Sequence, residues 1–143
     1  MINYEEILNS NLINVFKDIL FNINTNGLNS NNHLYVTFNT NHNGVTIPEW
    51  LRKKFPSEMT IVIQYEFYNL EIEDDFFLIT LSFNNIKEKL KINYNSIISF
   101  ADPSANFGLI LKNNKNKNTK KKTKKEIIDY KNNIIEFSNF KKN

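Results

Sequence analysis

The sequence contains no cysteine, which excludes disulfide scaffolds, thiolate zinc sites and cysteine nucleophiles. Histidine is nearly absent as well: His33 and His42 stand nine residues apart, a separation that matches no familiar metal-ligand spacing, and no metal is expected. With only Gly27, Gly44 and Gly108, a glycine-rich phosphate loop cannot be assembled. Neither a Ser-His-Asp set nor a pair of catalytic carboxylates emerges from the local sequence, so the chain reads as non-enzymatic and without a cofactor. No apolar run approaches the roughly 18 residues of a membrane span, and Met-Ile-Asn-Tyr-Glu-Glu lacks the basic and apolar regions of a secretory signal. The expectation is a cytoplasmic protein with no membrane partner.

What is present is an uneven distribution of charge. Residues 1–111 carry 7 basic against 12 acidic side chains, a net −5, whereas residues 112–143 carry 11 Lys against Glu126, Asp129 and Glu136, a net +8. A mildly acidic body is therefore followed by a strongly basic tail. At 143 residues and 41% hydrophobic content the chain has enough apolar material for one core and its appendages, but not for two sizeable domains. The abundant Asn, Lys, Ile and Phe fit an AT-rich coding sequence, so a scattered Asn carries no role by itself.

Along the body, Tyr4, Ile7, Leu8, Leu12, Val15, Phe16, Ile19, Leu20 and Ile23 recur at three- and four-residue spacing, predicting an amphipathic helix over 4–23. Gly27 suits a left-handed cap at its end. Residues 33–40 alternate as a strand, Leu34, Val36 and Phe38 facing one way and Tyr35 and Thr37 the other. Pro48 opens a short helix over 49–55, tolerated in a first turn, and Pro56 ends it. Strands follow over 60–67, 68–73 and 76–83, with Asp74-Asp75 as a turn. Asn84-Asn85 then suits a two-residue hairpin leading into the run of Ile86, Leu90, Ile92 and Tyr94. A short helical piece over 95–100, a turn at Asp102-Pro103-Ser104 and a last strand over 107–111 complete the body. The fold class is α+β: an N-terminal helix packed on a curved antiparallel sheet or half-open small β-barrel.

The stretch 112–125 holds eight Lys, four Asn and two Thr and no apolar side chain, so it cannot bury enough surface to offset its ordering entropy. A solvated, disordered linker over 112–133 is expected, with an r.m.s. span of about 25 Å if fully flexible. Apolar residues return after it. Ile127, Tyr130, Ile134 and Phe137 also fall at helical spacing, which leaves open a helix packed back on the body.

The order of segments resembles the stringent starvation protein B (SspB) family of protease adaptors in its alphaproteobacterial form. The resemblance runs through Gly27-Leu28, His33-Leu34-Tyr35-Val36-Thr37-Phe38, Gly44-Val45 and Leu51-Arg52. It continues in Phe55-Pro56-Ser57-Glu58-Met59-Thr60-Ile61-Val62, Leu81-Ser82-Phe83 and Asp102-Pro103-Ser104-Ala105-Asn106-Phe107-Gly108-Leu109, and so covers a peptide-binding domain over 1–111. It implies an adaptor that binds ssrA-tagged polypeptides in an apolar groove and delivers them to the AAA+ protease ClpXP. By this resemblance the groove maps onto Ile47, Ile79, Leu81, Ser82, Phe83, Asn84 and Ile92. The residue types alone would also allow Ile79, Leu81 and Ile92 to be plain core, and Trp50 a lid over it. Where relatives carry Gly-Gly after the Phe, this chain has Asn84-Asn85. The end of the chain is similar to the family's docking motif for the zinc-binding N-terminal domain of ClpX, which assigns Ile134, Ile135, Phe137, Phe140, Lys141 and Lys142 to residues 134–143. The family further implies a homodimer, and the apolar stripe of the first helix is wide enough to serve a partner.

The alternative from another class is a small β-barrel that binds nucleic acid with its basic C-terminal arm. Against it, the body is net acidic, and no basic strip interleaved with aromatics is read on the expected strands.

Overall fold

The computed structural model describes residues 1–28, 32–64 and 66–111; the expected linker over 112–133 and docking segment over 134–143 lie outside the described residues. The chain opens with helix α1, Tyr4–Asn26. Asn3 caps it by accepting the Glu6 N–H at 3.1 Å, and Glu5 and Glu6 place negative charge at the positive end of the helix dipole. Gly27 stops it with φ 73° and donates its N–H to the Ile23 carbonyl at 2.8 Å. Its ψ of −178° takes the chain into an extended, essentially glycine-only region instead of the left-handed helical cap expected from the sequence.

Four strands form the larger sheet: β1 (Leu34–Asn39), β2 (Glu58–Ile63), β6 (Ile97–Asp102) and β7 (Phe107–Ile110), antiparallel in the order β2-β1-β6-β7. The smaller sheet is β3 (Tyr68–Ile72), β4 (Phe76–Phe83) and β5 (Ile86–Asn93), in that order. Between β1 and β2 runs the short helix α2, Glu49–Lys54. The two sheets do not close, so the half-open α+β architecture expected from the sequence is the one observed.

Two elements differ from expectation. Over 95–100 the expected helical piece is only a single 3₁₀ turn at Tyr94–Ser96; Ile97–Asp102 is a strand held on both sides, Val36 opposite Phe100 and Phe100 opposite Leu109. Pairing with two neighbours decides its state, which six residues without a clear alternation do not announce. The strand expected over 60–67 begins earlier, at Glu58, and ends at Ile63. Pro48 opens α2 as expected, standing at its cap with φ −58° and ψ 148°.

The core lies where α1 meets both sheets. The Phe16 ring sits 5.5 Å from that of Phe77 in the smaller sheet and 5.0 Å from that of Phe100 in the larger, with Tyr94 at 6.3 Å. The apolar stripe of α1 divides along its length. Phe16, Leu20 and Ile23 are buried, whereas Tyr4, Ile7 and Leu8 are more than half exposed.

Asp102 clasps the end of β6 to the start of β1: its carboxylate accepts Asn32 Nδ2 at 2.8 Å, Ser104 Oγ at 2.5 Å and the Ser104 N–H at 3.1 Å. Burial alone would raise its pKa. The hydrogen bonds from the Ser104 hydroxyl, Asn32 and the backbone of Ser104 and His33 outweigh that, and the carboxyl is held below the usual value of 3.8. A depressed folded-state pKa contributes stability that is complete above the unfolded value and is lost as pH falls through the folded one. The urea midpoint of Asp102→Ala is therefore expected to lie below that of the natural protein at pH 7 and to converge on it below about pH 3.8. A gap that stays constant down to acid pH would show that the clasp does not act through the carboxylate.

Candidate functional site: the inner face of the β4–β5 hairpin

β4 and β5 run in unbroken register from Phe76 opposite Asn93 to Phe83 opposite Ile86, and Asn84 and Asn85 close the hairpin with φ 53° and 68°. Both central residues take the positive φ that a type I′ turn requires, so the pair that replaces Gly-Gly still makes the turn. Strand alternation puts Phe77, Ile79, Leu81 and Phe83 on the inner face, opposite Ile92, Leu90, Glu88 and Ile86. Exposure along that face rises toward the tip. Ile79, Leu90 and Ile92 are fully buried, Glu88 is half-buried and Ile86 is 53% exposed.

A second wall comes from the segment 45–51. Thr46 exchanges both backbone hydrogen bonds with Lys91, each at 2.9 Å, which adds one residue of a further strand to the edge of β5. Its neighbours Val45 and Ile47 face the other way and are buried. The Arg52 guanidinium fixes this loop by donating to the carbonyls of Thr40 at 2.7 Å and Val45 at 3.3 Å. Gly44 permits the approach: a Cβ there would meet the Asn93 side chain at 2.6 Å. α2 then carries Trp50 to the hairpin tip, where its ring stands edge-on to Phe83 at 6.4 Å and its Nε1–H donates to Glu88 Oε2 at 2.5 Å.

The edge of β5 has a defined polarity. Because Lys91 turns its N–H and C=O toward Thr46, alternation makes Lys89 and Lys87 turn theirs to the same side, away from β4. Among the described residues no backbone partner meets them there. On the outer face Lys87, Lys89 and Lys91 stand in line with Ser82, Thr80 and Leu78. Lys87 lies over the Tyr68 ring at 4.2 Å to its centroid and Lys91 over Phe76 at 4.5 Å. This basic and aromatic strip is absent from the sequence reading, because only the register brings β3, β4 and β5 side by side. Two of its three lysines cover the rings that bases would need for stacking, and lysines along an edge strand protect it from unwanted pairing.

Of the residues expected in the groove, the structure brings Ile47, Ile79, Leu81, Phe83 and Ile92 into one buried cluster. Leu81 and Phe83 lie toward the tip but are themselves buried, and Ile79 and Ile92 lie beneath at zero exposure. Ser82 points to the opposite face, and Asn84 is exposed in the turn. Sequence reasoning did not include Ile86 and Glu88, although a hairpin closed at Asn84-Asn85 places Glu88 directly opposite Leu81. The acidic run around Asp74-Asp75 forms the β3–β4 turn: the Tyr94 hydroxyl donates to the Glu73 carbonyl at 2.8 Å and the Tyr94 N–H to that of Asp75 at 3.0 Å. Burial, followed by the charges of Glu73, Asp74 and Asp75, pushes the Tyr94 phenol up to about 12. Among the described residues no cluster of His, Asp or Glu could hold a metal ion, and no helix is long and apolar enough to cross a membrane.

Comparison with known families places this geometry in context. The family model of stringent starvation protein B matches residues 7–136, most of the chain. No curated protein matches the sequence.

Proposed function

The chain belongs to the stringent starvation protein B family, a family of proteolysis adaptors and not of enzymes. From that premise we propose that it binds ssrA-tagged polypeptides at the open end of the β4–β5 hairpin and delivers them to ClpXP. The observation that carries the reading is the conjunction at the hairpin tip: the inner face, buried at Leu81 and Phe83, opens at Ile86 beside a strand edge whose N–H and C=O groups point outward. An extended peptide added along Lys87 and Lys89 would continue the pairing that Thr46 begins, gaining main-chain hydrogen bonds while its alternate side chains reach the inner face. Leu81, Phe83 and Ile47 then border the groove, Ile79 and Ile92 form its floor, and Asn84 stands at its rim, while Ser82 faces away from it. No bond is made or broken in this role.

Delivery is assigned to the tail. Residues 112–133, rich in Lys and Asn, act as a tether, and Ile134, Ile135, Phe137, Phe140, Lys141 and Lys142 dock on the zinc-binding N-terminal domain of ClpX. Tethering raises the local concentration of bound substrate at the unfoldase without any new contact to the substrate itself. A second copy of the chain covers Tyr4, Ile7 and Leu8, which lie at helical spacing on α1 and are 73%, 54% and 54% exposed; a homodimer follows and presents two tails. All of these steps take place in the cytoplasm.

Fluorescence anisotropy of a labelled ssrA-tag peptide at physiological salt tests the reading. Saturable binding is expected, with loss when the terminal apolar residues of the tag are replaced by Asp and a large loss in Ile86→Asp, an exposed position whose change spares the core. Affinity should fall little between low and moderate salt, because the groove is apolar; a steep fall would favour phosphate tracking by the basic arm. No binding at tens of micromolar overturns tag recognition.

A further inference from the structure

The inner face of the smaller sheet carries one charged side chain, Glu88, at the point where that face passes from buried to exposed. Leu81 stands directly opposite it, and Phe83 and Ile86 form the next pair toward the tip. The neighbouring lysines offer no compensation. Alternation sends Lys87 and Lys89 to the outer face, and Lys87 lies over Tyr68. Among the described residues the one donor to the Glu88 carboxylate is the Trp50 indole, which reaches Oε2. A carboxylate has acceptor capacity for several donors, so most of this capacity is left for a ligand. A half-buried charge beside apolar side chains is favourable only when paired, and here the protein supplies a neutral donor where a cation would complete the site.

We propose that Glu88 reads charge in the bound polypeptide: one position of an extended peptide held at the hairpin tip is selected for Lys or Arg, and Asp or Glu is rejected there. The assignment rests on the peptide-binding reading above and narrows its substrate class to apolar extended segments that carry a basic residue. Trp50 orients the carboxylate from one side, which leaves the second oxygen to face the incoming side chain. The ammonium or guanidinium donates to it, replacing water, while the flanking residues of the peptide cover Ile86 and Phe83. An acidic residue at the same position would place two like charges together in partly dehydrated surroundings, and specificity arises as much from that repulsion as from the attraction.

A set of labelled ssrA-tag peptides in which a single Lys or a single Glu is walked through every position, titrated into the full-length protein, tests the assignment. At one position Lys is expected to bind about tenfold more tightly than Glu, the scale of one charge-assisted hydrogen bond. In Glu88→Gln the amide oxygen still accepts from Trp50, so the fold should be retained while the Lys-over-Glu preference at that position disappears. Binding of all peptides with no position that discriminates, or a preference that survives in Glu88→Gln, overturns the role of Glu88 and leaves the peptide groove standing. Failure of every peptide to bind removes the groove and this assignment together.

Discussion

Phe16→Ala is expected to lower the stability of the protein by about 3–5 kcal/mol, the cost of removing a fully buried ring that its surroundings cannot collapse to replace. The site is unforgiving because Phe16 touches three rings from separate parts of the chain: Phe77 on β4, Tyr94 in the 3₁₀ turn and Phe100 on β6. These belong to two sheets that do not close on one another, so α1 joins them through this side chain. A cavity here would loosen both attachments at once. Against a total stability of about 5–15 kcal/mol for a domain of this size, such a loss should move the thermal midpoint down by on the order of 15 °C. Differential scanning calorimetry measures the shift, and Phe16→Leu should fall between the two because it keeps part of the volume. A shift of only a few degrees for Phe16→Ala would mean that the sheets hold together without the helix.

How far the sequence could be read depended on whether each signal was local. α1, the β4–β5 hairpin and the Asn84-Asn85 turn were legible because their periodicity and turn chemistry lie within a few adjacent residues; β4 spans the expected 76–83. β6 was not, since Ile97–Asp102 is a strand by virtue of β1 on one side and β7 on the other. The site divides in the same way. The family resemblance pointed to Leu81 and Phe83 as candidates, whereas the place of Glu88 beside Leu81 comes from strand register, and that of Trp50 from a hydrogen bond across 38 positions of sequence. The lysine strip failed to register for a related reason: Tyr68 and Lys87 meet only after two strand pairings are in place.

Deletion of residues 134–143 is expected to leave tag-peptide affinity unchanged and to return ClpXP degradation of a tagged substrate to the rate seen without the protein. The separation follows from where the two activities are assigned. The proposed groove is assigned to 45–51 and the β4–β5 hairpin, whose backbone hydrogen bonds and core contacts among the described residues join parts of the body. In the proposed role, residues 134–143 contribute affinity for a second partner through a chain connection. With substrate and adaptor at concentrations below the Kd of each separate contact, tethering makes the second encounter intramolecular, and severing it removes the gain entirely. Anisotropy measures the first activity, and loss of a fluorescent tagged substrate in the presence of ClpXP and ATP measures the second. A free peptide of sequence 134–143 added to the natural protein should inhibit delivery while leaving anisotropy unaltered, which isolates docking from folding. Loss of tag binding in the deletion variant would instead make the tail part of the peptide-binding body.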